Sequence, residues 1–484
     1  MDMAYVNKTS LREEFDHLKA EFERLSGAGK ITPESRLLFT ALLTLFEVMM
    51  AIFLEKTTKK GNRNSSKPSS QVDKDETASV PGGHAKGLAQ DDTRFANSRT
   101  IERVEVSAVS QCSCCGEALV KAVPTGYERR SKIDIVFEKV VRHIDAEIKS
   151  CAVCGSTTKG EFPADMPGPL QYGLGIKAYV LNLLITQMIS LSRVQKLLKT
   201  LLGTTLSEAT VLRYILQLHQ ALEAWERDSV AQLLACPTIH VDETSLRVDK
   251  RNHWVHIYCS GQTTVKFLHR RRGQAAIDAI NIIPRYGGVI IHDCWASYLS
   301  YGHCRHGLCG AHLLRELTFV IEAHGYAWAA NIKKLLQETC VQVSKSKTKQ
   351  LSAEDYANLQ KRYRNLLTRG RKELPPLVQR PSGKRGRIAK PAAHNLFDRL
   401  REHEQAVLLF AKKAEVSFTN NRAERDLRMS KVKQKVSGCF RQEQFAQAYC
   451  RISSYLQTMA YKGFNPLVAI QLALSGELYA RGPE

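Results

Sequence analysis

Two short apolar runs that each lead into an aspartate constrain the fold of this chain more than any other feature. The first, TIHVDET, spans residues 238–244, follows Pro237 and carries Asp242. The second, GGVIIHD, spans residues 287–293 and carries Asp293. Apolar runs of this length, bounded by turn residues, are typical of buried strands. We therefore predict two core strands, each presenting an aspartate at its tip.

The segment between the two aspartates predicts the order of the surrounding elements. Two further strand-like runs, at residues 253–258 and 264–268, are followed by a helical run at residues 274–282. The predicted order is therefore a strand, a hairpin of two strands, a helix and a fourth strand. A ribonuclease-H-like α/β domain has this order, and its first and fourth strands carry neighbouring acids. By this analogy Asp242 and Asp293 lie side by side.

A third carboxylate is expected from a helix near the C-terminus. Residues 420–428 read NNRAERDLR, and Thr419 or Asn420 is suited to cap a helix with Glu424 in its first turn. Glu316, on an earlier helix, is the alternative third acid. Two strand carboxylates and one helix carboxylate form the oxygen ligands for a pair of Mg²⁺ or Mn²⁺ ions in phosphoryl transfer. Taken singly, an aspartate at the end of a strand is more often a turn or helix cap than a metal ligand, and only the combination of the three acids favours the metal site.

The composition indicates a polyanionic partner and a reducing environment. Lysine and arginine number 70 against 48 acidic residues, a net charge of +22 over 484 residues. Such an excess is typical of proteins that bind nucleic acid. The 13 cysteines, with no signal peptide in front of them, favour metal binding in a reducing compartment over disulfides. We expect a cytoplasmic protein.

The first 56 residues predict a helical hairpin for self-association. Apolar residues between Leu11 and Leu25 form one stripe along a charged helix, and the run from Leu37 to Leu54 predicts a second helix. The second run approaches the length of a membrane span, but Glu47 in its middle favours the hairpin over a membrane anchor. Residues 57–100 are polar and predict a flexible linker.

Two CxxCG sequences predict a structural zinc site within residues 101–168. Four thiolates at this spacing close a tetrahedral Zn²⁺ site, and Cys114 is then spare. The alternating residues 132–148 between the two sequences predict a small sheet. Unrelated reduced cysteines are the alternative. The predicted zinc ligands are Cys112, Cys115, Cys151 and Cys154.

Residues 169–235 predict a helix-turn-helix-like region. Three helical runs are separated by short turns, the last of them at Gly203, and the third helix would present Thr210, Arg213 and Tyr214 to a DNA groove. A helical hairpin packed on the core of the protein explains the same pattern.

Further candidates for binding follow Asp293. The spacing of Cys309 and His312 suits a second metal site or buried structural packing. Residues 326–415 predict a helical insertion rich in lysine and arginine, which would contact phosphates or form a solvated face. Arginines near the acids are candidate DNA contacts, with ordinary surface charge as the alternative. They are Arg270, Arg271, Arg272, Arg425 and Arg428.

Together these motifs resemble a transposase of the bacterial insertion sequence 66 family. The blocks that carry the resemblance are residues 64–70, the two CxxCG sequences, and residues 240–244, 292–293, 309–316, 421–428, 437–441 and 452–466. They cover the chain from about residue 60 to its end. One departure is Met429, where many relatives have proline, and it affects no chemistry.

The resemblance implies a cut-and-join enzyme with an Asp-Asp-Glu triad of Asp242, Asp293 and Glu424, which selects Glu424 over Glu316. Two Mg²⁺ or Mn²⁺ ions would direct water at each transposon end and then aim the freed 3′-hydroxyl at target DNA. The implied partners are double-stranded DNA, as terminal inverted repeats and target, further copies of the chain in a homo-oligomer, and accessory proteins of the same element. The expected location is the bacterial cytoplasm, at the nucleoid and without a membrane.

The predicted fold class is therefore multidomain α/β. The expected order is an N-terminal helical region (1–56), a linker (57–100), a zinc ribbon (101–168), a helix-turn-helix-like region (169–235), a ribonuclease-H-like catalytic domain (236–325 and 416–464) with a helical insertion (326–415), and a C-terminal tail (465–484). Two rival functions are a non-catalytic DNA-end-binding protein from a decayed element and a ribonuclease-H-like DNA nuclease without strand transfer.

Overall fold

The computed structural model describes residues 8–58, 104–132, 138–377 and 390–478. The predicted linker therefore lies almost wholly outside the described residues. The described helices are α1 (Lys8–Gly27), α2 (Pro33–Thr57), α3 (Leu174–Leu181), α4 (Leu191–Leu202), α5 (Glu208–Ala221), α6 (Glu223–Ala235), α7 (Gln274–Ile280), α8 (Ala296–Leu299), α9 (Gly310–His324), α10 (Ala327–Lys345), α11 (Ala353–Gly370), α12 (Ala392–Glu402), α13 (Glu404–Lys412), α14 (Asn421–Ser437), α15 (Glu443–Tyr461) and α16 (Pro466–Ser475). The strands are β1 (Ile148–Ser150), β2 (Thr157–Lys159), β3 (Thr238–Val248), β4 (Arg251–Ser260), β5 (Thr263–His269), β6 (Val289–His292) and β7 (Arg305–Leu308).

The chain is a mixed α/β protein that divides into two compact units. The first unit contains the N-terminal hairpin and residues 227–247 and 251–431, and a five-stranded mixed sheet in the order β5-β4-β3-β6-β7 is built mainly from it. Strands β3, β6 and β7 are parallel, whereas β4 and β5 form an antiparallel pair. All four residues of β6 are buried, as expected for a parallel strand covered on both faces.

The N-terminal hairpin is helical, as the apolar stripe predicted. Phe15 on α1 packs with Met50 and Leu54 on α2, so the two helices share a small apolar core. The carboxylate of Glu55 accepts hydrogen bonds from the backbone amides of Ala392 and Ala393 at 3.0 Å or less, which attaches the end of α2 to the start of α12. Among the described helices, α2 is long and apolar enough to span a membrane by length and composition alone.

The predicted insertion is also helical in its described part, where it forms α10 to α13. Trp328 on α10 is 1 % exposed and meets the ring of Phe397 on α12 edge to face, with 5.3 Å between the ring centroids. A β-carbon at Gly370 on α11 would overlap the side chain of Trp328, so this position requires glycine. These helices pack into one apolar core with α9 and β7.

The second unit contains the described parts of residues 85–226, 248–250 and 432–484. Helix α5 packs against α15 and α16, and Trp225 meets Tyr455 edge to face at 5.2 Å. Two expectations differ from this arrangement. Residues 432–464 group with this unit, although the expected catalytic segment ran to residue 464, and the expected C-terminal tail begins with α16, a helix whose apolar face packs on α3.

The sheet predicted between the two CxxCG sequences is wrong in its place and extent. In the described residues, β1 and β2 form a three-residue antiparallel hairpin that encloses the second CxxCG sequence, with Ile148 opposite Lys159. Residues 138–147 belong to no strand, and residues 133–137 lie outside the described part. The alternation that suggested strands is not matched by burial, because most side chains in 138–150 are exposed.

Candidate active site

Asp242 and Asp293 come from neighbouring parallel strands. The pairing of β3 with β6 runs from Thr238 opposite Val289 to His240 opposite Ile291. Continuing that register by two residues brings Asp242 level with Asp293, which directly follows β6. One expectation was wrong: β3 does not end at Asp242 but continues to Val248, because it also pairs with the long strand β4.

Glu424 lies in the first turn of α14, and Asn420 ties the start of this helix to β3. The side-chain amide of Asn420 donates to the carbonyl oxygen of Val241 at 2.8 Å, and its Oδ1 lies 3.0 Å from Nδ1 of His240. The side chain of Asn420 is therefore used on β3 rather than as the predicted helix cap. Val241, which directly precedes Asp242, is therefore hydrogen-bonded to Asn420, which lies four residues before Glu424.

A second attachment holds the same segment to α9. The backbone amide of Gly310 donates to the carbonyl oxygen of Phe418 at 2.7 Å, and the amide of Asn420 donates to Sγ of Cys309 at 3.1 Å. A β-carbon at Gly310 would overlap the ring of Phe418. The approach to α14 thus depends on the absence of a side chain at Gly310.

The three acids interact electrostatically. Burial raises the pKa of Asp242 well above its ordinary value, and neighbouring negative charge raises it further, from Glu243, Asp293 and Glu424. Backbone amides orient the two aspartates: that of Glu243 donates to Asp242 Oδ1 at 2.8 Å, and that of Trp295 donates to Asp293 Oδ1 at 3.1 Å. Carboxylates that interact in this way repel one another unless a cation lies between them, and carboxylate oxygens are the ligands that Mg²⁺ and Mn²⁺ prefer. In the described residues, the ligand oxygens of Asp242, Asp293 and Glu424 are not all within 4.8 Å of one another, so a shared ion requires these side chains to move closer.

The backbone beside Asp293 is strained. Cys294 has a φ of +71°. This lies in the left-handed region, which residues other than glycine and asparagine rarely adopt. Its amide donates to Nδ1 of His292 at 3.1 Å, and Nε2 of His292 lies 3.1 Å from Nδ1 of His306. Burial lowers the pKa of His292 well below its ordinary value, so its ring is neutral. The turn after Asp293 is therefore held by two neighbouring histidines, of which His292 is buried and neutral.

Glu243 is a fourth acid at this site that the sequence analysis missed. Its side chain is 1 % exposed, accepts from the hydroxyl of Tyr298 at 2.6 Å and pairs with Arg272 at 2.6 Å. Burial raises its pKa, and the charge of Asp293 contributes in the same direction. The signal was an acid next to Asp242 inside an apolar strand, which requires a buried cationic or hydroxyl partner.

Arg272, a predicted DNA contact, is held in a fixed position. Its guanidinium lies 4.4 Å from the ring centroid of Trp295 and 5.0 Å from that of Trp254, while Nε and Nη2 donate to Glu243. Its side chain remains 41 % exposed. The other predicted arginine contacts near the acids are exposed: Arg270 and Arg271 after β5, and Arg425 and Arg428 on α14.

Cys309 and His312 lie beside Glu424. The ligand atoms of these three residues are all within 4.8 Å of one another. His312 Nδ1 is 3.5 Å from Glu424 Oε1, and Arg315 Nη2 is 3.9 Å from the same oxygen. The alternative third acid, Glu316, instead forms an ion pair with Arg399 on α12.

Each CxxCG sequence forms its own turn in the second unit. The amide of Gly116 donates to the carbonyl of Cys112 at 3.0 Å, and that of Gly155 donates to Cys151 at 2.9 Å, with both glycines at positive φ. A hydrogen bond with Ser156 lowers the pKa of the Cys154 thiol to about 7, which favours the thiolate that zinc requires. Within the described residues, no three of the predicted ligands Cys112, Cys115, Cys151 and Cys154 have their ligand atoms within 4.8 Å of one another.

The predicted DNA-reading helix is only partly exposed. Ser207 caps α5 by accepting from the amide of Thr210 at 3.1 Å, as its position predicted. Arg213 is exposed, but Tyr214 is 3 % exposed and lies under Lys177. Tyr214 is therefore not available to a DNA groove, because its face of α5 packs on other helices of the unit.

Comparison with known proteins assigns the family. The model of the transposase IS66 family matches residues 169–448, more than half of the chain. The chain belongs to this family. Membership gives a transposase role and hence DNA as a partner, and all three acids of the candidate site lie inside the matched region. Among curated proteins, none matches this IS66 family chain.

Proposed function

We propose that the chain cleaves transposon ends and joins them to target DNA by metal-dependent phosphoryl transfer at Asp242, Asp293 and Glu424. One observation carries the proposal: neighbouring parallel strands and a helix fixed to one of them bring these carboxylates close enough to shift the pKa of Asp242. The strand order β5-β4-β3-β6-β7 supports a ribonuclease-H-like catalytic domain, since consecutive numbering within the sheet gives 3-2-1-4-5.

Asp242, Asp293 and Glu424 would hold two Mg²⁺ or Mn²⁺ ions. Such ions activate an attacking oxygen and neutralise charge on the leaving oxygen. The protein would position the metal ligands. The backbone amides of Glu243 and Trp295 orient the two aspartates, and the hydrogen bond from Asn420 to Val241 holds the start of the Glu424 helix against β3. Arg272, whose guanidinium lies near two indole rings, would bind a phosphate of the DNA.

The remaining parts of the proposal concern partners. Zinc held by the two CxxCG turns and the exposed Arg213 of α5 would serve DNA binding. Exposed apolar side chains along α2 favour a homo-oligomer, because a large solvent-exposed apolar face marks an interaction site. They include Leu37, Leu38, Leu42, Leu45 and Met49. The DNA bound would be the terminal inverted repeats and the target. Accessory proteins of the element would be further partners, and the protein would lie in the cytoplasm at the nucleoid.

A cleavage and strand-transfer assay tests it. The substrate is a labelled duplex carrying the inverted repeats that flank the gene, with a supercoiled plasmid as target and Mg²⁺ or Mn²⁺ as the metal. Wild-type protein is expected to nick the duplex at the repeat and form joined products, and Asp242→Asn and Glu424→Gln to form neither. Asp249→Asn and Glu402→Gln, at exposed acids away from the site, are matched controls expected to behave like wild type.

The same assay separates the rival functions. Specific retention of the repeat duplex with no cleavage by wild-type protein would identify a DNA-end-binding protein of a decayed element. Cleavage without joined products would identify a nuclease. Cleavage that survives both Asp242→Asn and Glu424→Gln would place the chemistry elsewhere in the chain.

A further inference from the structure

Cys309, His312 and Glu424 form a second set of possible ligands at the edge of the candidate active site. Cys309 precedes α9, His312 lies in the first turn of α9 and Glu424 in the first turn of α14. Their ligand atoms, one sulfur, one nitrogen and one oxygen, all lie within 4.8 Å of one another. The set thus shares Glu424 with the carboxylate triad but differs from it in chemistry.

Two of the three ligand atoms of this cluster lack a hydrogen-bond partner among the described residues. His312 Nδ1 and Glu424 Oε1 are buried, and neither has a hydrogen-bond partner in the part of the chain that the structure describes. Buried polar atoms are nearly always hydrogen-bonded, so two that face each other at 3.5 Å indicate a missing ligand between or beside them. Arg315 reaches within 3.9 Å of the same oxygen, which is too long for a hydrogen bond.

The donor set selects the kind of ion. Mg²⁺ binds oxygen ligands, whereas Zn²⁺ binds sulfur, nitrogen and oxygen in tetrahedral sites. Metal-to-ligand distances of about 2.0 to 2.3 Å place the ligand atoms of such a site about 3.3 to 3.8 Å apart. The 3.5 Å between His312 and Glu424 already falls in that range, and Cys309 needs only a small approach.

We propose that a thiophilic divalent ion, with Zn²⁺ as the prototype, binds Cys309, His312 and Glu424 and thereby inhibits the enzyme by withdrawing Glu424 from Asp242 and Asp293. The inference rests on the proposed role of Glu424 as a ligand of the catalytic ions. On binding, the sulfur–metal bond forms as the Cys309 thiol releases its proton to solvent, and no oxidant or reductant takes part. The amide of Asn420, 3.1 Å from Sγ, stabilises the resulting thiolate.

Binding of Co²⁺ to the DNA-free protein tests the site without reference to catalysis. Co²⁺ replaces Zn²⁺ in tetrahedral sites and gives a sulfur-to-metal absorption band when thiolate is a ligand. Wild type, Cys309→Ser and the matched control Cys340→Ser keep all five cysteines of the CxxCG turns, so the difference spectrum reports Cys309 alone. His312→Gln provides a second variant that leaves every thiol in place, and circular dichroism checks the fold of each.

We expect wild type and Cys340→Ser to bind one more equivalent of Co²⁺ than Cys309→Ser. For this additional equivalent, His312→Gln should have a dissociation constant at least about tenfold higher than wild type. Identical stoichiometry and spectra for wild type and Cys309→Ser would overturn the inference. In the cleavage assay, added Zn²⁺ should inhibit wild type and much less Cys309→Ser, each compared with its own zinc-free rate. Equal inhibition of both would also overturn it. An inactive wild type with a Cys309-dependent Co²⁺ site would refute the proposed function and leave the metal site standing.

Discussion

The side-chain amide of Asn420 donates a hydrogen bond to the carbonyl oxygen of Val241 at 2.8 Å. Val241 precedes Asp242 on β3, and Asn420 precedes the helix that carries Glu424. Asn420 is 1 % exposed, so the bond is shielded from water. The spacing between Asp242 and Glu424 therefore depends on this buried amide, together with the bonds that hold Phe418 and Asn420 to the start of α9, rather than on the acids themselves.

Replacing Asn420 by alanine should loosen this spacing. The carbonyl of Val241 and Nδ1 of His240 would each lose the hydrogen bond to Asn420, which lowers the free energy of unfolding by about 1–3 kcal/mol. Misplacement of a catalytic group by about 1 Å reduces cleavage by up to about a hundredfold. Denaturant unfolding and cleavage rates measure the two effects. Asn421→Ala, at an exposed neighbouring position, is the control, and equal rates for both variants would show that Asn420 has no positioning role.

The repulsion among the acids predicts that Asp242→Asn stabilises the metal-free protein, whereas Asn420→Ala destabilises it. Because the folded pKa of Asp242 is raised, the folded state binds more protons than the unfolded state above the ordinary carboxyl pKa of about 4. The free energy of unfolding of metal-free protein should therefore fall as pH rises through this window, and Asp242→Asn should remove part of that fall. Thermal unfolding at neutral pH with a chelator should show a melting temperature a few degrees higher for Asp242→Asn than for wild type.

Adding Mg²⁺ supplies the complementary measurement. The ion should raise the melting temperature of wild type, since it binds the folded state, and raise that of Asp242→Asn much less. Asp249→Asn should follow wild type in both conditions. A metal-free Asp242→Asn variant that melts below wild type would mean that the three acids do not repel one another.

Gly310 should not tolerate a side chain. Alanine at this position would push the ring of Phe418 away and disturb the amide bond between the two residues, which we expect to lower the free energy of unfolding by about 1–3 kcal/mol. Gly302→Ala, at an exposed site with no atom near the new β-carbon, should be close to neutral. Denaturant unfolding compares the two. Recovery of stability in the double variant Gly310→Ala/Phe418→Leu would confirm that the overlap with the ring is the cause.

The sequence predicted the elements that are defined locally. Apolar runs ending near Asp242 and Asp293, the cap at Ser207 and the helical hairpin at the N-terminus all follow from short-range patterns. The length of β3 does not follow from such patterns, because its second half pairs with β4 and the polar residues after Asp242 conceal that pairing. The role of Asn420 was also missed, since a residue suited to capping gives no sign that its partner lies 179 positions earlier.

Burial by distant elements explains the other differences. Tyr214 was expected to face DNA, but the helices that cover it come partly from the end of the chain, so local periodicity could not reveal them. Glu243 was overlooked because its partners, Arg272 and Tyr298, lie on separate loops and helices. In each case the missing information is a contact between residues far apart in the sequence.

The fixed position of Arg272 predicts that lysine cannot replace it. Lysine lacks the planar fork that donates twice to Glu243 and stacks between Trp254 and Trp295. We expect Arg272→Lys to reduce the cleavage rate by about tenfold or more, with binding of DNA weakened less. Arg401→Lys, at an exposed position on α12, is the matched control. Equal cleavage by both variants would show that Arg272 acts only as surface charge.

The last prediction concerns the two CxxCG turns. If their thiolates share one Zn²⁺, Cys154→Ser should lose one equivalent of bound zinc per chain, whereas Cys114→Ser in the first turn should retain it, because Cys114 is not a predicted ligand. Metal analysis of the purified proteins measures the difference. Treatment with a strong chelator should remove the same equivalent from wild type and weaken DNA binding, since most described side chains between the turns are exposed and add little apolar burial of their own. Equal zinc contents in the two variants would mean that the turns do not form a common site, and their cysteines would then be independent reduced thiols.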